Sequence, residues 1–395
     1  MSLLENFRNH VAQTSDDPIG LIVDRAEGPF LFLDDGRRLI DLISGIAVSS
    51  IGHRHPRVID AIRRQTERHL HVMVYGEFVL ETQVRLAARL AELLPPELQV
   101  VYFTNSGTEA VEGALKVAKK FTGRHRLIAF ERSYHGDTQG SLSVTGRDVY
   151  RKPFEPLLPD VTFLPFDDVA ALSAIDSETA AVITEPIQGE GGVRVPSQTW
   201  LEMLRERTAG AGAMLIFDEV QTGMGRTGSL FAFQQAGVIP DILCLAKAFG
   251  GGMPLGAFIS SAEIMRALRV DPPLSHVTTF GGHPVSCAAA LAALEVLLDE
   301  DLIPRALDIE RRVRERLRHP LIVEIRGRGA MLGMVLASAS ATRAVAAGAL
   351  EKGVLTGWTL HSDTLIRLAP PLNIPFDVLD DALGVLMEIL ESLDR

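Results

Sequence analysis

Apolar runs of strand length alternate along this chain with segments of helical period. "VVYFT" (Val100 to Thr104), "RLIAF" (Arg126 to Phe130), "AAVIT" (Ala180 to Thr184), "AMLIF" (Ala213 to Phe217) and "DILCLA" (Asp241 to Ala246) are nearly continuous apolar stretches. Such runs suit strands covered on both faces of a parallel sheet. Between the first two, "EAVEGALKVAKKFTG" sets Val111, Ala114, Leu115, Ala118 and Phe121 on one helical face, and Gly123 suits the C-cap. This strand-helix-strand pattern predicts an α/β fold with a mostly parallel sheet. "CAAALAALEVLL" (Cys287 to Leu298) is apolar and helix-like, but shorter than the roughly 20 residues a bilayer crossing needs. It reads as a core helix.

Ligands in open α/β sheets gather beyond the carboxyl ends of the strands, and here each end is polar. After the five runs come, in order, Asn105 to Thr108; Tyr134, His135 and Gly136; Glu185; Asp218; and Lys247. These groups are expected to converge on one ligand. "TNSGTEA" puts Ser106, Gly107 and Thr108 where a helix begins, and the free amides and dipole of a helix N-terminus attract phosphate; an ordinary Ser or Thr cap has the same signature. Lys247 closes an apolar strand beside "AFGGG". Desolvation lowers an amine's pKa and prepares it to form a Schiff base with a carbonyl, whereas a solvated surface lysine would do nothing. A carboxylate at the mouth of a buried strand, Asp218, is costly unless it meets a cation, and a protonated pyridine nitrogen supplies one. An amine, an acid and an anion cradle are what an aldehyde-bearing pyridine phosphate requires.

Composition narrows the setting. With 395 residues, 47% of them hydrophobic, the chain can bury a large core and divide into more than one compact unit. A net charge of −11 gives no basic footprint for nucleic acid and argues against an anionic membrane surface. Two cysteines, Cys244 and Cys287, make no disulfide framework. The N-terminal "MSLLENFRNHVAQTSDDP" has neither a signal-peptide core nor a transit pattern. The expectation is a cytoplasmic protein acting on small molecules. The histidines at 53, 55, 69 and 71 form no convincing ligand set and read as loop or helix-surface residues, so no metal is expected.

Seven long motifs, "SGIAVSSIGHRHP", "FTNSGTEAVEGALKVAKKFTGR", "ITEPIQGEGGV", "LIFDEVQTGMGRTG", "LCLAKAFGGGMPLGAF", "TTFGGHP" and "LIRLAPPL", resemble in the same order those of the class III pyridoxal-phosphate (PLP) aminotransferases of fold type I, especially the acetylornithine and ornithine branch. The resemblance spans nearly the whole chain. It implies a large PLP-binding domain over 56–284 with a seven-stranded, mostly parallel sheet. A smaller α+β domain is implied for 1–55 with 285–395, and a homodimer or dimer of dimers with shared active sites.

By matching motif, Lys247 is the covalent anchor and proton shuttle, Asp218 holds the ring nitrogen, and Ser106, Gly107 and Thr108 hold the phosphate. Tyr134 stacks on the ring beside His135, Val220 packs on the opposite face, and Gln221 meets the ring hydroxyl. Thr279 reaches the phosphate of the neighbouring subunit, with Thr278 near the substrate. Glu190 and Arg367 resemble the branch's substrate pair: Arg367 binds a carboxylate when glutamate enters, and Glu190 covers it when an ω-amino donor enters. Glu185 either supports the cofactor pocket or holds the loop after its strand. The implied reaction is ping-pong amino transfer from a donor such as acetylornithine or ornithine to 2-oxoglutarate or pyruvate. Other chemistry of the class is the alternative: amine, 4-aminobutyrate or diamino-acid transamination, epimerisation, or decarboxylating transamination.

One departure stands out. The branch usually reads "HGRT" after the stacking aromatic, its arginine binding a substrate carboxylate, whereas this chain reads "YHGDT" with Asp137, as in the diaminopelargonic acid branch. An acid there repels a distal carboxylate unless Arg147, Arg151 or Lys152 compensates. A rival from another class is a nicotinamide-dependent oxidoreductase, since "GMGRTG" (Gly223 to Gly228) fits G-x-G-x-x-G. The five residues Asp218 to Thr222 separate that motif from its strand, and no helix start follows at once.

Overall fold

The computed structural model describes residues 2–359 and 362–393. At its centre lies a seven-stranded sheet in the order Val100–Thr104, Gly256–Ser260, Ile242–Leu245, Met214–Asp218, Thr179–Thr184, Arg126–Phe130, Val161–Leu164. Gly256–Ser260 runs antiparallel to both neighbours, and the other pairings are parallel. The apolar runs end where expected to within one or two residues. Thr179–Thr184 is buried throughout, as a covered strand should be, whereas Val100–Thr104 sits on the sheet edge and is only partly buried.

The helix Gly107–Thr122 starts at Ser106, whose hydroxyl accepts from the Glu109 amide, and stops at Gly123 in the left-handed conformation (φ 68°). Its buried face carries Val111, Ala114, Leu115 and Ala118, but Phe121, expected with them, is 37% exposed. Gly113 lets the helix approach the sheet: a Cβ there would lie 2.1 Å from the Phe258 ring. The core helix Pro284–Asp299 has Pro284 in its first turn and packs against helices Pro56–Arg68 and Glu81–Leu93.

Two smaller sheets flank this body. The N-terminal strands Val23–Glu27, Phe30–Leu33 and Arg38–Asp41 are joined in parallel by Val354–Leu355 from the other end of the chain. The second sheet, in the order Ile322–Arg328, Met331–Leu336, Ser362–Leu368, Gly357–Thr359, is antiparallel. It sets Arg367 opposite Gly333 and Gly357.

The glycine-rich stretch Gly223 to Gly228 is an anchor between these layers. Arg226, 1% exposed, donates to the carbonyls of Ala330 (3.3 Å) and Pro370 (2.5 Å) and to the Ser50 hydroxyl (2.6 Å). Burial pushes its guanidinium down to about 10, with Asp41 acting in the opposite direction. A pyrophosphate-binding turn needs its backbone open to a ligand; this turn is filled by its own arginine. The early histidines are more structural than a surface reading allows. His53 bonds buried Asp41 (2.8 Å), His55 pairs with Glu300 (3.2 Å), and His71 stacks on His283. Among the described residues no helix is long and apolar enough to cross a membrane, and no group of three or more His, Cys, Asp or Glu is placed to hold a metal.

Candidate active site

The polar residues that follow the five apolar strands line one cavity of about 620 Å³: Asn105 to Thr108, Tyr134 to Gly136, Glu185, Asp218 and Lys247. Asp137, Val220 and Gln221 line it too. The parallel strands deliver these groups to one edge because all their carboxyl ends point the same way.

Lys247 enters from a strained backbone. Ala246 is still extended, and Lys247 then adopts φ 51°, opening the short turn Lys247–Gly250. A non-glycine residue in that region costs of order 1–2 kcal/mol. Burial holds its ammonium below the ordinary lysine range; Asp218 and Glu190 pull it back up, and Arg367 pushes it further down.

Asp218 is 5% exposed at the end of the central strand. One oxygen accepts from the Val220 amide (3.1 Å), and the other lies 2.8 Å from Nδ1 of buried His135. A carboxylate only accepts, so Nδ1 donates to it, and among the described residues the buried Nε2 has no hydrogen-bond partner. His135 is itself held by its amide on the Thr145 hydroxyl (3.1 Å). The histidine thus orients the acid.

Glu185 lines the cavity and bonds the loop after its own strand. Its carboxyl accepts from the amides of Tyr134 (3.1 Å) and Gly189 (2.7 Å), tying the aromatic and the loop after its own strand to the cavity wall. Burial pushes it up to about 7, with Asp218 adding to the shift and His135 and the two amides opposing it. Tyr134 donates its hydroxyl to Asp137 (2.7 Å), and burial and that bond raise the phenol well above its usual range. Asp137 therefore steadies the aromatic ring and leaves a negative charge at the cavity wall. None of the three compensating cations lines the cavity. Arg151 lies over the Phe163 ring and, with Lys152, pairs with Asp148, while Arg147 lies near the Tyr150 ring.

Gly107 and Thr108, the first residues of the Gly107–Thr122 helix, also line the cavity, and the first amides of a helix have no intrahelical partner. Thr108 adds a hydroxyl 2.6 Å from those of Thr138 and Ser141. Gly107 cannot be larger, since a Cβ would lie 2.9 Å from the Val220 side chain.

Glu190 and Arg367, 177 residues apart, form a buried ion pair, and Arg367 also reaches Gln221 (3.4 Å). The remaining two expected residues lie elsewhere. Thr278 accepts from the Asn105 side chain (3.2 Å) and lines a neighbouring groove, and Thr279 is exposed.

Comparison with known proteins decides what this arrangement is. The family model for aminotransferase class-III matches residues 11–390. The chain belongs to the class-III aminotransferases. The acetylornithine aminotransferase of Methanopyrus kandleri is 44% identical over 387 residues, 97% of each chain, and that of Streptomyces coelicolor is 44% identical over 93% of this chain and 90% of its own. An ornithine aminotransferase from Toxoplasma gondii, with partial occupancy of PLP at its active site, superposes with a TM-score of 0.91 at 32% identity, covering 99% of this chain and 93% of that one. An amine transaminase from an uncultivated Pseudomonas species in its PLP-bound form gives 0.89 at 29% identity, over 97% and 98%.

This aminotransferase is PLP-dependent, as its class is, and its residues fit that cofactor. The cavity offers a desolvated amine, an oriented acid, a helix N-terminus with a hydroxyl cluster, and an aromatic ring. Its volume falls within the ~300–1,000 Å³ of small-molecule sites.

Several supporting residues carried no sequence signal as functional groups. Glu219, beside Asp218, is 1% exposed and accepts from the amides of Ala232 (2.6 Å) and Phe233 (2.8 Å) and the Thr222 hydroxyl (3.2 Å). Glu112 accepts from the amides of Gly140 (2.8 Å) and Ser141 (3.2 Å), bracing the Thr138–Ser141 wall. Both are contacts between a carboxylate and the first amides of a helix elsewhere in the chain, which no local pattern encodes.

Proposed function

We propose that this aminotransferase takes the terminal amino group of an ω-amino donor of the acetylornithine or ornithine kind and passes it to a 2-oxo acid by a double-displacement cycle. The buried Glu190–Arg367 pair beside Lys247 supports this reading: the arginine is covered by its own glutamate, and turning the glutamate aside would open it to a carboxylate. An ω-amino donor meets the covered state, and glutamate or 2-oxoglutarate meets the open one. The curated relatives' names support the same substrate class.

PLP, when bound, supplies the electron-withdrawing pyridinium that accommodates the electron pair left when the donor carbon loses its proton. Lys247 is the covalent anchor. Its depressed pKa favours the neutral amine that accepts that proton and returns it. Asp218, fixed by His135 and the Val220 amide, holds the proton on the ring nitrogen. Tyr134 and Val220 face the ring, and Gln221 meets its hydroxyl. Ser106, Gly107 and Thr108 hold the phosphate, and Thr278 and Thr279 serve the site across a homodimer. Asp137 disfavours a distal carboxylate at its wall of the cavity. A cytoplasmic setting accords with two free, buried cysteines.

A donor panel of acetylornithine, ornithine, 4-aminobutyrate and simple amines against 2-oxoglutarate and pyruvate tests the proposal. Acetylornithine or ornithine is expected to give the highest kcat/KM, with pyruvate gaining on 2-oxoglutarate because of Asp137. Turnover of simple amines alone would sink the assignment.

A further inference from the structure

Away from the cofactor cavity, the loop that carries Glu190 ends in a concentration of positive charge. Gln188 and Arg194 close this loop through paired backbone bonds (3.0 and 2.9 Å). On its outer side Arg194 and Arg326 line a groove of about 490 Å³ between the loop and the edge strand Ile322–Arg328. Arg326 packs close, since a Cβ on Gly192 would lie 3.7 Å from its Nη1.

Asp167 and Glu324 line this groove beside Arg194, Arg314 and Arg326, and most of these charges are already engaged. Arg326 pairs with Glu324, and Arg314 is consumed by Glu310 (2.9 Å) and by the carbonyls of Ile325 and Gly327. Asp167 spends one oxygen on Ser197. Arg194 is half-buried, its Nε is buried without an acceptor, and among the described residues no carboxylate pairs with its guanidinium. Burial lowers its affinity for its proton, and the neighbouring guanidiniums of Arg132 and Arg326 lower it further, while the Glu324 carboxylate acts in the opposite direction. A desolvated cation pressed against like charges is held at a cost that an anion removes, because charge-assisted bonds to guanidinium are among the strongest available.

We infer that the groove between Arg194 and Arg326 is a binding site for a small anion, a phosphate or a compact carboxylate, separate from the cofactor cavity. The guanidinium fork suits either oxyanion. Because the same short loop carries Glu190, an occupant there braces the segment that covers Arg367.

The test uses the PLP-loaded enzyme, in which the phosphate cradle of the active site is filled. Inorganic phosphate and malonate are titrated separately by thermal unfolding and by calorimetry, with chloride holding ionic strength constant. Saturable binding of either anion is expected in the wild type and in Arg367→Gln, whose active-site carboxylate anchor is gone. In Arg194→Gln the affinity is expected to fall about tenfold or more, as for loss of a charge-assisted bond, while Arg194→Lys falls less. Phosphate alone, malonate alone, or both binding in this pattern supports the site and identifies its ligand chemistry. No saturable binding in the wild type, or equal binding in wild type and Arg194→Gln, overturns it.

Discussion

Lys247 illustrates how one residue's position sets its chemistry. Its left-handed backbone turns the side chain off the strand axis, and burial keeps its amine easier to deprotonate than a surface lysine. Because Glu190 raises that pKa and Arg367 lowers it, the covering pair also tunes the base. Below its pKa Lys247 is protonated and cannot accept the donor's proton; above it, the amine is neutral and competent. Replacing Glu190 with Gln removes a carboxylate that favours the charged form and uncovers a cation that disfavours it. The acid limb of the first half-reaction's rate profile is therefore expected to move to lower pH, and the KM for 2-oxoglutarate to fall. A limb that moves upward would contradict this assignment of charges. At this scale the sequence was informative: Asp218, Lys247 and the Ser106–Thr108 turn stand out because each breaks an apolar run at a strand or helix boundary. Arg367 and Glu190 did not, since a charge on a strand or loop is usually solvated, and only the motif resemblance singled them out.

At the scale of elements, the cavity depends on loops fastened by buried carboxylates. Glu219 is the clearest case, holding the start of the short helix Ala232–Ala236 through two amides. Each stranded amide costs roughly 1–3 kcal/mol. Glu219→Ala is expected to lower urea-unfolding stability by about 3 kcal/mol, and Glu219→Gln by less because the amide oxygen still accepts. An unchanged midpoint for Glu219→Ala would show that the helix start is held by other means. Periodicity located the strands and the Gly107–Thr122 helix well, because alternation between covered strands and amphipathic helices is a strong local signal. It misplaced Phe121, which falls in the last turn before Gly123 where the helix leaves the sheet, and it overstated the cover of Val100–Thr104, because edge position is decided by strand order and not by composition.

The whole molecule is assembled by contacts that sequence separation hides. Gly256–Ser260 inserts between Val100–Thr104 and Ile242–Leu245, and Val354–Leu355 joins the N-terminal strands. Arg226 binds three chain segments at once, so a glycine motif with the spacing of a nucleotide site proves to be a structural joint. An apolar surface is exposed here: Phe78, Val79, Leu274, Val277 and Phe280 are each more than half exposed, and Thr278 and Thr279 lie in the same stretch as the last three. A patch of this kind marks an interaction surface, and a second copy is the proposed occupant. Light scattering is expected to give twice the 42.9 kDa chain mass, and Phe280→Asp to shift the protein toward monomer with loss of activity. A fully active monomer would remove the shared-site proposal.

The central claim, amino transfer at a PLP site gripped by Lys247 and Asp218, is tested most directly by a single half-reaction. PLP-loaded enzyme is mixed with acetylornithine or ornithine, without acceptor, and the cofactor's visible absorption is followed. The account predicts that the band disappears in proportion to active sites, returns when 2-oxoglutarate or pyruvate is added, and stays unchanged in Lys247→Ala. A wild-type band that persists with both donors, or one lost equally in Lys247→Ala, would contradict it.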